Sequence, residues 1–184
     1  MAFKWSNSPP WTLRAKARYG AIEGPRATAQ AGRTDIRFPK ELMPMAHTIL
    51  PLRALHYIKS HHPREKYHAA LEHLFHKFWT PPNLNLSQAD VLAGVLADYK
   101  GFSPEECKMI LEGARSQEMK DALTRSTQSA LDKGAFGAPW LWVRNDKGVA
   151  EPFFGSDRFH HVYKFLGLPY QDLELLPPGG RAKL

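Results

Sequence analysis

Two short runs rich in aromatic and β-branched residues, Trp140-Leu141-Trp142-Val143-Arg144 and Val149 to Phe154, are joined by Asn145-Asp146-Lys147-Gly148. Strand-forming residues on either side of a turn-forming tetrapeptide predict an antiparallel hairpin. A two-stranded sheet is marginal by itself in water, so this hairpin constrains everything around it. Its edge must be covered by the helical part of the chain, by the amino-terminal segment, or by another subunit.

The turns that flank the hairpin carry the chemistry. Gly134-Ala135-Phe136-Gly137-Ala138-Pro139 stops a helical run and enters the first strand. Pro139 is predicted to be cis, which leaves the N–H and C=O of Ala138 free to pair with an extended peptide as a further strand would. At the other end, Phe153-Phe154-Gly155-Ser156-Asp157-Arg158 leaves the second strand through Gly155. Ser156 is expected to cap a new helix and Asp157 to sit in its first turn. Free N–H groups at such a terminus attract a carboxylate, and Asp157 can hold an ammonium. Together the turns describe a carboxylate-and-amine site, which implies a peptide-like ligand.

The rest of the chain reads as helix. Residues 1–35 lack periodic signal, apart from a short helical stretch around Leu13 to Tyr19, and are expected to wind over the surface. Thr48 is the expected N-cap of a helix from Ile49 to His61, with Leu52, Leu55 and Ile58 on one face. A second helix, Arg64 to Trp79, carries Leu71, Leu74, Phe75 and Phe78. Ser87 to Asp90 and Ser103 to Glu106 both have the spacing of capping boxes, the latter with Pro104 at the first helical position, and the helices they open are expected to end near Gly101 and Gly113. Ser116 opens a longer helix through Leu131, and Ser156 to Leu166 closes the order.

Composition fits one compact globular unit with a substantial helical part. No apolar run is long enough to span a bilayer, and the start lacks a charged and apolar signal region, so neither membrane insertion nor secretion is expected. Cys107 is the single cysteine; it can form neither an internal disulfide nor a Cys-x-x-Cys pair, and reads as a buried structural thiol. The formal charge of +7 draws on Arg14, Lys16, Arg18, Arg26, Arg33, Arg37 and Lys40 near the amino end. These cations are not interleaved with stacking aromatics in any nucleic-acid module, so no nucleic-acid partner is expected. His68, Glu72 and His76 share a helix face but lack the His-Glu-x-x-His arrangement, and no metal is assigned to them. His160 and His161 follow the second turn and can supply a general acid or base, although an exposed place on the last helix explains them as well.

The pair of turns resembles the kappa class of glutathione transferases, thioredoxin-like proteins related to the bacterial disulfide oxidoreductases and to 2-hydroxychromene-2-carboxylate isomerase. Asn7-Ser8-Pro9-Pro10, Lys16, Tyr19 and Phe38-Pro39-Lys40-Glu41 extend the similarity from about Asn7 to Leu168, in the family's order. The resemblance implies an α/β, mostly helical protein: a truncated thioredoxin-like fold with an inserted all-helical domain. Its expected parts are an amino-terminal segment with a glutathione-contacting loop (1–40), a helical domain (41–133), the remaining strand-strand-helix part (134–170) and a tail (171–184). It implies glutathione as co-substrate, contacted by Asn7 and Lys16, by Ala138 before Pro139 at the cysteinyl backbone, and by Ser156 and Asp157 at the γ-glutamyl end, with Arg158 completing the motif. It implies a small electrophilic organic substrate and, with the missing strands, a homodimer.

The departure from the family is equally specific. Kappa transferases begin with a strand, a Ser-Pro-Tyr-Ser-Trp-like turn, a helix and a second strand, and the serine of that turn polarises the glutathione thiol. No Ser-Pro-Tyr occurs in this sequence, so no catalytic residue is assigned. A sequence shortened relative to the true gene, a real protein that has lost transferase chemistry and a real protein using the remaining groove for another reaction are the competing explanations. Two functions follow: a glutathione conjugase or glutathione-dependent isomerase, and a non-catalytic, dimeric ligand-binding or interaction protein on the kappa scaffold. Ala182-Lys183-Leu184 is a variant of the Ser-Lys-Leu address, which predicts a peroxisomal location, otherwise a cytoplasmic one.

Overall fold

The computed structural model describes residues 12–170; Asn7 and the tripeptide Ala182-Lys183-Leu184 lie outside them. Instead of one compact unit, the described chain divides into residues 12–128 and residues 129–170, each with its own contacts.

The first unit opens with α1 (Arg14–Gln30), which begins in the helical stretch expected at Leu13 to Tyr19 and continues through residues expected as surface coil. It buries no residue and contains Pro25, so tertiary packing does not account for it. Alanines at 15, 17, 21, 27 and 29 supply intrinsic propensity, and local side-chain pairs add to it: Tyr19 donates to Glu23 at 3.0 Å, and Glu23 meets Arg26 at 3.7 Å. A short α2 (Leu42–Met45) precedes α3 (Ile49–His61) and α4 (Arg64–Trp79). The last two match the periodic apolar runs, although Thr48 caps α3 without a side-chain hydrogen bond.

The core lies where α3, α4, α5 (Ala89–Asp98) and α6 (Pro104–Arg115) meet. Ile58, Leu92, Leu96 and Ile110 are its largest fully buried side chains, each contributing about 1.5 to 3 kcal/mol through burial. Ser103 and Glu106 form the predicted capping box on α6, with bonds of 3.2 and 2.7 Å. Ser87 does not cap α5: the N-cap is Gln88, and the Ser87 hydroxyl donates to Asn85 Oδ1 at 2.7 Å. A nearer acceptor in its own turn has captured the hydroxyl, as serine often allows. Cys107 is buried in the core, where desolvation pushes its thiol pKa up.

Tyr57 of α3 meets Gly113 of α6. Its ring lies where a Cβ on Gly113 would stand, and it stacks on the His61 ring at 4.0 Å. Glycine inside a helix normally destabilises it; here the missing Cβ admits an aromatic ring.

The long α7 (Gln117–Asp132) runs out of this unit, its start capped by the Ser116 hydroxyl, which accepts from Met119 N–H at 3.2 Å. The second unit contains β1 (Trp140–Arg144), β2 (Ala150–Phe154), a 3₁₀ turn at Ser156–Arg158 and α8 (Phe159–Leu166). The strands pair antiparallel, with Trp140 opposite Phe154, Trp142 opposite Pro152 and Arg144 opposite Ala150. Asn145 closes the turn, its Oδ1 accepting from Lys147 N–H at 3.1 Å and Val149 N–H at 3.0 Å. Alternation along the strands places Leu141, Val143 and Phe153 on one face and Trp140, Trp142 and Phe154 on the other. Phe165 of α8 packs on Phe153 at 5.5 Å.

Candidate functional site

Pairing Trp140 with Phe154 brings the two glycine-containing turns to the same end of the hairpin. One further bond extends the ladder past the last strand pair: Gly155 N–H donates to Pro139 C=O at 3.1 Å. The bond Ala138–Pro139 is cis. Ala138 therefore lies beside the ladder but outside it, and among the described residues its backbone N–H and C=O have no hydrogen-bond partner.

Gly155 leaves the strand at φ 100°, ψ 143°, a region that side-chain-bearing residues avoid. This turn directs Ser156, Asp157 and Arg158 into the 3₁₀ turn. A Cβ at Gly155 would meet Asp157 Oδ1 at 2.5 Å, so the Asp157 carboxylate lies folded back over the glycine. Its Oδ2 faces Arg158 Nη1 at 3.4 Å, and both side chains are mostly exposed, at 71% and 54%.

Ser156 departs from expectation. The residue at the cap position is Gly155, no side chain caps the turn, and α8 starts only at Phe159. The positive φ of Gly155 turns the chain one residue earlier than a serine cap requires. Consequently the Ser156 hydroxyl is not engaged in capping, and among the described residues the N–H groups of Ser156 and Asp157 have no acceptor. Arg158 N–H is the first of the turn to be satisfied, donating to Gly155 C=O at 3.4 Å.

The structure thus brings Ala138, Pro139, Ser156, Asp157 and Arg158 together in residues 129–170. Lys16 stands exposed on α1 in the other unit, and Asn7 lies outside the described residues. His160 and His161 occupy the first turn of α8, their rings 4.0 Å apart.

An aromatic cluster beside the cis proline was not anticipated. Phe136 packs on Trp140 at 5.4 Å and on Phe154 at 4.5 Å. The indole N–H of Trp140 is buried without an acceptor among the described residues. Phe136 between Gly134 and Gly137 was the available signal, since a large apolar residue between two glycines needs a surface to lie on.

The donor set fits a zwitterionic amino-acid end. Free N–H groups and a guanidinium complement a carboxylate, while the adjacent Asp157 complements an ammonium. The open backbone of Ala138 suits the main chain of a short peptide continuing from that end. Among the described residues, no cluster of histidine, cysteine and carboxylate side chains converges as a metal site, and no helix is long and apolar enough to cross a membrane.

Residues 6–167 match the DSBA-like thioredoxin domain, and the chain belongs to that family. Within it, the chain is homologous to kappa-class glutathione S-transferases. It is 33% identical over 99 residues to Glutathione s-transferase kappa 2 of Caenorhabditis elegans, covering 53% of this chain and 42% of that protein. With Glutathione S-transferase kappa 1 of Homo sapiens it is 27% identical over 181 residues, covering 97% of this chain and 77% of the relative. Glutathione S-transferase kappa 1 of Caenorhabditis elegans is 36% identical over 70 residues, 38% of this chain and 31% of that protein. The chain thus spans less than half the length of either nematode relative and about three quarters of the human one.

Proposed function

We propose that this protein binds glutathione through the two turns and uses it for conjugation to an electrophile or for isomerisation of a small organic substrate. The observation that carries the reading is the Gly155 N–H bond to Pro139 C=O at 3.1 Å, because it holds a peptide-pairing backbone and an ammonium-and-carboxylate turn at one end of the hairpin. In this reading Asp157 holds the γ-glutamyl ammonium. The N–H groups of Ser156 and Asp157, with the Ser156 hydroxyl, hold the adjacent carboxylate, and Arg158 adds positive charge. Ala138 donates to and accepts from the cysteinyl main chain. Asn7 and Lys16 are proposed as further contacts. Bound glutathione supplies the thiol that adds, as thiolate, to an electrophilic carbon. The chain's own role is to fix the peptide so that this group has a constant position.

Calorimetric titration with glutathione, followed by a conjugation assay with an electrophilic aryl halide, tests the proposal. Saturable binding with turnover supports the transferase reading. Binding without turnover supports the second reading, a ligand-binding protein on the kappa scaffold. No binding overturns both.

Two further parts of the proposal have separate tests. Both strands of the two-stranded sheet have an edge without a partner among the described residues, and such edges favour pairing with another chain; light scattering at the dimer mass is expected. Ala182-Lys183-Leu184 is proposed as a peroxisomal address, and a fluorescent carrier extended by residues 177–184 should collect in peroxisomes.

A further inference from the structure

The turn between α3 and α4 builds a cationic cleft that the glutathione reading does not use. Lys59 comes from the last turns of α3, Arg64 and His68 from one face of α4, and Tyr67 from between them; the four line a cleft of about 400 Å³. That volume falls within the roughly 300 to 1,000 Å³ usual for small-ligand sites. Lys59 Nζ stands 5.9 Å from the centroid of the Tyr67 ring, and the Tyr67 and His68 rings are 5.5 Å apart.

Two of the neighbouring basic side chains outside the cleft have an acidic partner. Lys66 meets Glu106 Oε1 at 3.0 Å, and His62 approaches the same oxygen at 3.5 Å. His61 Nδ1 is engaged by Ser60 Oγ at 2.8 Å and Tyr57 O at 3.0 Å. Among the described residues, Lys59, Arg64 and His68 have no carboxylate within ion-pair distance, and Glu65, the acidic residue of the first turn of α4, is not part of the lining. Arg64 also stands at the amino end of α4, where the helix dipole already favours negative charge and disfavours a cation. Three cationic or protonatable groups therefore line one cleft with no carboxylate partner among the described residues.

We propose that this cleft binds an organic anion: a planar ring bearing a tetrahedral oxyanion, a phosphate or sulfate monoester. Lys59, Arg64 and His68 surround the oxyanion, with Arg64 offering the forked donor geometry that suits it. Tyr67, half-buried against the core, provides the face on which the ring rests. The site shares no residue with the two turns of residues 134–158, and its test needs no glutathione.

The full chain is titrated with phenyl phosphate, phenyl sulfate and inorganic phosphate, followed by calorimetry and by amide shifts of residues 59–68. Saturable binding of one of the aryl esters is expected, and whichever binds more tightly names the oxyanion. Lys59→Gln with Arg64→Gln should weaken that ester about tenfold or more. Tyr67→Leu should weaken the aryl ester and leave inorganic phosphate unchanged. Absence of saturation by both esters at about 10 mM, or undiminished affinity in the double variant, overturns the site. Inorganic phosphate binding as tightly as the esters overturns the ring contact. Should the double variant lose its cooperative melt, the exposed single Lys59→Gln is read by the same titration, and an unchanged affinity there counts against the proposal.

Discussion

Gly155 donates its N–H to the carbonyl of Pro139 at 3.1 Å, so two turns separated by the whole hairpin share one backbone hydrogen bond. Each turn alone offers half a peptide-binding surface. The bond sets their spacing, and its donor occupies a backbone region open mainly to glycine.

Gly155→Ala should therefore disturb both folding and binding. The φ of 100° costs an alanine about 1 to 3 kcal/mol, and the new Cβ meets Asp157 Oδ1 at 2.5 Å. Chemical denaturation is expected to show a loss in that range, and glutathione titration a further loss of affinity in the fraction that remains folded. Wild-type affinity in a stably folded variant contradicts the shared-bond account of the site.

Asp157→Ala separates a ligand contact from a structural one. The carboxylate is mostly exposed and its ion pair with Arg158 is open to solvent, so thermal stability should change little. Loss of a charge-assisted contact to the γ-glutamyl ammonium should weaken glutathione by about 1.5 to 3 kcal/mol. Calorimetry beside a thermal melt reads both quantities. Reduced stability with unchanged glutathione affinity assigns Asp157 to the turn alone.

What was legible in the sequence followed burial. Ile49–His61 and Arg64–Trp79 are read correctly because each must hide an apolar face whose period is written in the residues, and Trp140–Arg144 because its aromatic and β-branched residues adjoin a turn-forming run. Helix α1 buries no residue, so of its seventeen residues only the stretch up to Tyr19 was read as helical. Capping depended on competition: Ser103 found its partner in Glu106, whereas the Ser87 hydroxyl turned to Asn85 and Ser156 was pre-empted by Gly155. The backbone form of the two turns, with the cis bond at Pro139 and the strand exit at Gly155, was readable from those residues and their neighbours. Their shared hydrogen bond was not, because strand register is a tertiary property. The Phe136, Trp140 and Phe154 cluster escaped for the same reason, joining a turn to both strands.

Acid should destabilise the helical unit before its carboxylates titrate. His56, His62 and His73 all have pKa values lowered from 6.5, with burial as the largest cause. For His62, Glu106 opposes that shift while Lys66 and His61 reinforce it. A histidine with a lower pKa when folded binds fewer protons than in the unfolded chain, so stability rises with pH across the interval between its two values. The contribution is complete above about pH 6.5 and is lost progressively as pH falls through the folded values. Glu106 and Asp98 are held below 4.5 and 3.8, so their losses come at lower pH. Urea midpoints measured from pH 8 to pH 5 should fall below about 6.5, and the combined His56→Gln and His73→Gln variant should flatten that fall. A level profile above pH 5 contradicts the assignment.

Gly113→Ala tests whether helix propensity or packing governs the contact of α3 with α6. In an open helix the substitution stabilises by about 1 kcal/mol. Here the added methyl enters the Tyr57 ring, which also stacks on His61 at 4.0 Å and would lose that contact by swinging aside. Overpacking of this kind costs about 1 to 3 kcal/mol, so a net loss of stability is expected in urea denaturation. Tyr57→Leu on the same background should recover part of it, since the shorter side chain clears the space above residue 113. A stabilised Gly113→Ala protein shows instead that α3 and α6 separate easily, and that the ring contact does not set their spacing.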